Sequence, residues 1–393
     1  MAVREIVKNV FSVGSIDWDR RLFDELIPLP DGTTYNSYLI KGSSKIALID
    51  SVDPTKQKEL IENLKRAKVD RIDYIVQHHG EQDHSGAIPR LLEKYPMAKV
   101  VCNKKCKEFL MELLLIPQDK FIEVGENEEI SLGGKTLRFI FTPWVHWPET
   151  FVTFLKEDGI LFTCDFFGSH YSTSDMYAKE EKVYTAAKRY YAEIMMPFRK
   201  TIQANIEKVE KLNAKMIAPS HGPIHGNPKF IIDAYKDWAS DIPKDEVIVA
   251  FVSMHGSIEK CARYLADRLV EKGVNVKLYN LTRTDIGELA MDLVDACTLV
   301  LLTPTVLAGA HPSAIYSATL VSALRPKLKY AALVVSYLWG GKAPDQIKGI
   351  LSSLPIELID GIMVRGHPKE GDYRALDELA DKIILKHKEL FNK

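Results

Sequence analysis

Cysteine is sparse in this chain: Cys102, Cys106, Cys164, Cys261 and Cys297 are the only five in 393 residues, and no two form a CxxC pair. That excludes a zinc ribbon and a disulfide framework and fits a reducing compartment, so a cytoplasmic protein is expected. Long apolar runs are missing as well. No stretch is apolar enough to span a bilayer, and the first thirty residues hold no core of signal-peptide length. Nor is there an excess of either charge, since 52 Lys and Arg against 53 Asp and Glu leave a formal charge of -1. Nucleic acid and membrane surfaces are therefore not expected as partners, whereas a small molecule or another protein is.

What the chain does have is apolar residues, 46% of the total, over a length that exceeds one ordinary domain. The stretch "DWASDIPKDEVIVAFV" breaks a helical pattern with Asp, Pro and charges before a new apolar strand, and it divides the chain into residues 1–243 and 244–393. The first part mixes strand-like runs such as "TTYNSYLI", "SKIALID", "RIDYIVQ" and "GILFTCD" with helices, which predicts a sandwich of sheets covered by helices. In the second part "VIVAFVS", "NVKLYNL", "TLVLLTPT", "AALVVSY" and "IMVRG" alternate with helical segments, the pattern of a doubly wound parallel sheet.

The densest chemistry lies in "QHHGEQDHSG", where His79, Glu81, Asp83 and His84 follow an apolar strand. Three further strand ends carry His146 in "TPWVHWPET", Asp165 in "LFTCDFFG" and His221 in "APSHGPIHG". A single His or Asp at a strand end is more often a hydrogen-bonded structural residue. Seven together, each closing an apolar segment, point to cations held between them. His78, beside a candidate ligand, is expected to face the other way and to hydrogen-bond structurally.

This spacing resembles the metallo-beta-lactamase superfamily. With Glu81 where a second histidine is common, it is similar at all seven positions to one branch, the flavodiiron proteins. Mixed imidazole and carboxylate ligands suit redox iron, whereas imidazole alone suits zinc well. The resemblance implies that His79, Glu81 and His146 bind one iron, that Asp83, His84 and His221 bind the other, and that Asp165 bridges them. His84 is the position where direct ligation varies within the family. Trp147 and Tyr191 are expected to line the pocket.

A second constellation opens the second part. Ser253, Met254, His255, Gly256, Ser257 and Ile258 join a strand to a helix, placing small residues and backbone N–H groups at a helix amino end, an arrangement that cradles phosphate. Two later loops, Thr303, Pro304, Thr305, Val306, Leu307, Ala308 and Gly309, then Ser336, Tyr337, Leu338, Trp339, Gly340 and Gly341, follow apolar strands. All three resemble the FMN loops of the family's flavodoxin domain. His255 and Ile258 depart from it, since Tyr and Thr are usual there, so one hydroxyl contact to the phosphate is expected to be missing.

The implied fold is an α/β chain in which a metallo-beta-lactamase-like αββα sandwich precedes a flavodoxin-like doubly wound parallel sheet. The implied activity is reduction of dioxygen to water or nitric oxide to nitrous oxide at a diiron site fed by FMN. No CxxC pairs follow the second part, so a separate donor is expected, a rubredoxin-like protein or a reduced deazaflavin. The resemblance also implies the family's head-to-tail homodimer, or a tetramer made of two such dimers. Two alternatives stay open: a zinc hydrolase carrying a flavodoxin module, and an electron-transfer protein with a degenerate first part.

Overall fold

The computed structural model describes residues 3–392, and the chain divides into two compact units between Ala239 and Ser240. The division falls at the end of the helix Pro228–Ala239, a few residues before the expected boundary at residue 243. The reason is local. Ser240 Oγ accepts from Lys327 Nζ at 3.2 Å, so the connecting segment is already tied to the second unit before residue 243.

The first unit has two main sheets. In the seven-stranded sheet the neighbours run Arg4–Val7, Val10–Ser12, Tyr38–Lys41, Ile46–Ile49, Tyr74–Val76, Lys99–Cys102 and Phe121–Glu123. The five-stranded sheet runs Glu129–Ser131, Thr136–Phe141, Phe151–Leu155, Ile160–Cys164 and Met216–Pro219. Strand Ile160–Cys164 is buried along its whole length, as expected for an apolar run covered on both faces. Leu60 and Leu64 of helix Gln57–Arg66, and Cys106 and Leu110 of helix Lys104–Leu114, enter one core with Ile49, Val76, Phe139 and Phe162 from the two sheets. Asn103 caps the second of these helices by accepting from the Cys106 N–H at 2.9 Å. Layers of helix and sheet around this shared core make the αββα sandwich.

The run "TTYNSYLI", expected as one strand, is two. Thr33–Tyr35 pairs with Ser15–Asp17, and Tyr38–Lys41 joins the large sheet. Asn36 sits at the break and donates its amide to the carbonyls of Pro219 at 2.9 Å and Gly222 at 2.6 Å. The interruption thus fixes the loop that carries His221.

In the second unit Asn275–Asn280, Glu246–Phe251, Thr298–Val306 and Tyr330–Tyr337 lie side by side and parallel, with the short segments Glu357–Leu358 and Ile362–Arg365 completing the edge. Numbered within the unit, the order is 2-1-3-4-5, the flavodoxin-like arrangement, with its switch point between the first and third strands. The hairpin Val306–Gly309 turns through Leu307 (φ 51°) and Ala308 (φ 64°), and Gly309 is where a Cβ would meet the Gln346 amide oxygen at 2.5 Å.

Candidate metal centre and loop cavity

Four chain segments deliver the candidate ligands to one place. The loop after Tyr74–Val76 brings His79, Glu81, Asp83 and His84. The loop after Thr136–Phe141 brings His146, while Asp165 and His221 follow Ile160–Cys164 and Met216–Pro219. All seven converge as two groups. His79, Glu81, His146 and Asp165 present ligand atoms within 4.8 Å of one another, as do Asp83, His84 and His221. His79 Nε2 is 3.0 Å and His146 Nε2 3.2 Å from Glu81 Oε2, and both lie 3.6 Å from Asp165 Oδ2. The other Asp165 oxygen is 2.8 Å from His84 Nε2 and 3.5 Å from His221 Nε2, which is itself 3.1 Å from Asp83 Oδ2. The Asp165 carboxylate therefore spans the two groups.

The chemistry of this set fits divalent cations. Both Asp83 oxygens and Asp165 Oδ2 are buried and accept no hydrogen bond, a costly state unless another positive centre lies between them. Burial opposes charge on His79, yet Glu149, Glu81 and Asp165 outweigh it and hold its pKa well above that of a free imidazole. Burial is likewise outweighed by Asp165 and Asp83 at His84, pushed up to about 10, and by Asp165 and Glu81 at His146, pushed up to about 9. On the acid side, burial would lift Glu81 and Asp165, but the histidines keep both carboxyls ionised, Asp165 well below the usual range. With no cation, protons supply the positive charge; a metal ion would displace them.

A frame of hydrogen bonds aims the rings. His79 Nδ1 donates to Glu149 Oε1 at 2.7 Å, and Gly80 N–H reaches the same oxygen at 2.9 Å. His221 Nδ1 donates to the Thr34 carbonyl at 2.6 Å, leaving Nε2 as the ligand atom. His78 faces away, as expected, held by Asp50 Oδ2 and Thr153 Oγ1, each at 2.7 Å. Asp50 also accepts from the His78 backbone N–H and from Ser220 Oγ, so it ties the His79 loop to the His221 loop. Glu149 and Asp50 were not singled out from the sequence. The available signal was a carboxylate ending an apolar run in "KIALID" and one closing the Pro turn in "HWPET".

Trp147 packs its ring edge-on against His79 at 4.7 Å and against Phe109 at 6.0 Å. With Phe23, Leu113 and Asp24 it lines a cavity of about 430 Å³ that opens on Glu81 and Asp83. The expectation for Tyr191 is corrected. Its ring lies among Tyr235 and Trp238, at 5.3 and 5.5 Å, and it is Tyr190 whose hydroxyl donates to Asp165 Oδ1 at 2.8 Å. One helical residue rotates a side chain by about 100°, so neighbours in sequence face different surroundings. Helix Glu180–Tyr190 passes directly into a π-helical turn, Tyr191–Met195, a distortion frequent near functional sites. His170 stands behind the second group, 4.9 Å from His221 and 4.8 Å from Tyr190, and burial and His221 keep it neutral.

In the second unit the three expected loops do meet. Ser253, Met254, His255, Ser257, Ile258, Pro304, Thr305, Ser336, Tyr337, Leu338 and Trp339 line a cavity of about 200 Å³ at the carboxyl ends of the strands. Gly366, from a fourth loop that sequence reasoning passed over, completes the wall. Gly256, Thr303, Val306, Leu307, Ala308, Gly309, Gly340 and Gly341 support these loops without lining the cavity; Thr303 Oγ1 accepts from the His311 N–H at 3.1 Å. Gly256 adopts φ 83° ahead of helix Ser257–Glu271 and offers no side-chain cap, so the first helical N–H groups open toward the cavity.

Residues 33–222 match the family described as ODP family beta lactamase. A nitric oxide reductase from Moorella thermoacetica is 34% identical over 391 residues, covering 97% of this chain and 98% of that protein. A coenzyme F420H(2) oxidase from Methanothermobacter marburgensis is 35% identical over 324 residues, 79% and 80% of the two chains. Among solved structures, rubredoxin oxygen:oxidoreductase from Desulfovibrio gigas superposes with a TM-score of 0.95 at 27% identity, covering all of both chains. The flavodiiron protein from Giardia intestinalis gives 0.92 at 27% identity, with 99% and 98% covered. Together with the seven-residue cluster and the 2-1-3-4-5 sheet, these full-length likenesses show that the chain belongs to the flavodiiron proteins, a family of oxidoreductases.

Proposed function

We propose that the chain reduces dioxygen to water, nitric oxide to nitrous oxide, or both, at a diiron centre fed by FMN. In this reading His79, Glu81 and His146 hold one iron, Asp83, His84 and His221 hold the other, and Asp165 bridges them. The observation that carries it is the Asp165 carboxylate, with one oxygen 2.8 Å from His84 Nε2 and the other 3.6 Å from His79 and His146. Glu81, Asp83 and Asp165 bring three negative charges to two divalent cations, so most of the charge is cancelled inside a buried pocket. Iron and FMN, when bound, would polarise the diatomic and supply its electrons. The chain's own residues set the geometry: Glu149 and Thr34 orient two ligand histidines, Tyr190 holds Asp165, and Phe23, Leu113 and Trp147 give the cavity apolar walls beside Glu81.

The FMN ring system is assigned to the loop cavity of the second unit, with its phosphate at the amino end of helix Ser257–Glu271. Leu338 and Trp339, each 70% exposed at the rim, favour a second subunit covering that face, in line with a head-to-tail homodimer. The names of relatives point to two donor types for a cytoplasmic enzyme, rubredoxin and reduced F420, a deazaflavin. No described helix is long and apolar enough to cross a membrane. The hydrolase alternative lacks support from any of these relatives.

The test is to load the full chain with iron and FMN, reduce it anaerobically with each donor, and follow dioxygen and nitric oxide at an electrode. Consumption of either gas, with water or nitrous oxide as product, is the expected result. A protein that binds two zinc ions, takes up no flavin and consumes neither gas would overturn the reading.

A further inference from the structure

The cavity that opens on Glu81 and Asp83 is walled on one side by a short hairpin. Strands Leu22–Phe23 and Ile27–Pro28 pair antiparallel, and Asp24 and Glu25 turn between them at φ 50° and 52°, a backbone region that Asp tolerates better than most residues. Phe23 pins the hairpin in place. It is 5% exposed, with its ring centroid 5.2 Å from that of His170 and 6.5 Å from that of His221. Arg20 Nε donates to the Leu22 carbonyl at 2.7 Å, so its guanidinium is held at the same edge. Asp24 lines the cavity and is also open to solvent, whereas Glu25 is open to solvent and lines no part of it.

Reduction of either gas consumes protons. Dioxygen takes four electrons and four protons to give two waters, and two nitric oxide molecules take two electrons and two protons to give nitrous oxide and one water; the electrons come from the external donor. Among the described residues that line the cavity, few can pass a proton on. Glu81 and Asp83 are iron ligands in the reading above and carry none once bound. Arg20 does not give up its own. Asp53 already caps the turn Pro54–Lys56, accepting from the Thr55 N–H at 2.8 Å and the Thr55 hydroxyl at 2.5 Å. Amide, hydroxyl, indole and hydrocarbon groups make up the rest, which leaves Asp24. Partial burial, then the charges of Glu81 and Asp83, push its carboxyl up to about 6 from an ordinary 3.8, against His146 and Arg20. Bound cations would offset the share of the two ligand carboxylates and leave that of burial, the largest.

We propose that Asp24 is the proton carrier of this cavity: its carboxyl takes protons from solvent at the hairpin turn and releases them inward, to the diatomic undergoing reduction or to water beside it. The inference rests on the gas-reducing reading of the cavity. Each transfer breaks an O–H bond at Asp24 and forms one on the acceptor, and the carboxylate left behind is reprotonated from solvent, so the residue is unchanged after each turnover. With Phe23 anchored over the second group and Asp24 at the mouth, the hairpin sets the carrier between bulk water and the ligands.

The test uses the full chain loaded with iron and FMN and kept reduced by rubredoxin or reduced F420, unaltered and as Asp24→Asn, Asp24→Glu and Glu25→Gln. Asn tolerates the same left-handed turn, so the hairpin is kept. In Asp24→Asn the kcat for gas consumption is expected to fall about 100-fold, the lower end of what a positioned proton donor contributes, with the KM for the gas and the iron and FMN contents unchanged. An acid donates only while protonated, so the unaltered kcat should decline as the pH rises through the range where Asp24 titrates. That decline should vanish in Asp24→Asn and return in Asp24→Glu, while Glu25→Gln matches the unaltered chain. A second readout needs no turnover: infrared difference spectra of the zinc-loaded chain across the same pH range should contain a protonated-carboxyl band that Asp24→Asn lacks. If Asp24→Asn keeps the kcat and pH profile of the unaltered chain, loses iron, or gives the same infrared spectra, the proposal is overturned. An unaltered chain that consumes neither gas would instead overturn the reading beneath it.

Discussion

The two candidate sites of this chain are built in opposite ways. The metal cluster sits inside the first unit, where His79, His84 and His221 are almost fully buried and their rings are fixed by Glu149, Thr34 and the Asp165–Tyr190 pair. The loop cavity sits at the rim of the second unit, where Met254, Leu338 and Trp339 are exposed. A buried cluster of charges survives only with every partner in place, so each residue there supports several others. A rim cavity is modular. Changes in it should act on flavin alone, whereas changes in the cluster should spread through the whole centre.

The sharpest break in that comparison is Asp165→Asn, which removes the one carboxylate common to both groups. Loss of an outer partner alone costs about 10- to 100-fold in metal affinity, so losing the shared ligand should cost more than about 100-fold and release both irons, as read by metal analysis after dialysis. FMN content should not change. Next is Glu149→Gln, which keeps the shape but loses the charge behind His79. Iron affinity should fall by about 10- to 100-fold on that half only, giving one tightly held iron where there were two.

An acid titration of the metal-free protein probes the frame without touching a candidate ligand. Burial pulls His225 down to about 4 from an ordinary 6.5, and its Nε2 donates to the Phe167 carbonyl at 3.0 Å. Between those two values the unfolded chain takes up a proton that the folded chain refuses, so stability is intact above pH 6.5 and falls as the pH drops toward 4. The His225 share of that loss should reach about 3 kcal/mol, at about 1.4 kcal/mol per pH unit, and His225→Gln should remove that share in a urea melt while the share of the neutral, buried His170 stays. The smallest effect is expected for Tyr190→Phe, which removes one hydrogen bond to Asp165 and should weaken iron binding about tenfold. Tyr191→Phe should leave iron binding unchanged, because that ring faces Tyr235 and Trp238.

Much of this is legible in the sequence alone. Ligand residues at strand ends are close in sequence to the elements that carry them, and "HHGEQDH" places four within one loop, so both the cluster and its kinship could be read. The orienting residues could not. Glu149 meets His79 across seventy positions, and Tyr190 reaches Asp165 from a helix whose phase is not fixed by a run as ambiguous as "KRYYAEIM". The family resemblance points instead to the neighbour, Tyr191, as a pocket-lining aromatic. The second unit repeats the lesson. Loops that follow long apolar strands are legible, while Gly366, after the four-residue strand Ile362–Arg365, is not.

The central claim is that one carboxylate joins two irons. The most direct measurement is Mössbauer spectroscopy on the full chain loaded with isotopically enriched iron and then oxidised. Two irons per chain, coupled so that the oxidised centre is diamagnetic at low temperature, is the result expected. Isolated paramagnetic ferric ions, or a single iron per chain, would contradict it.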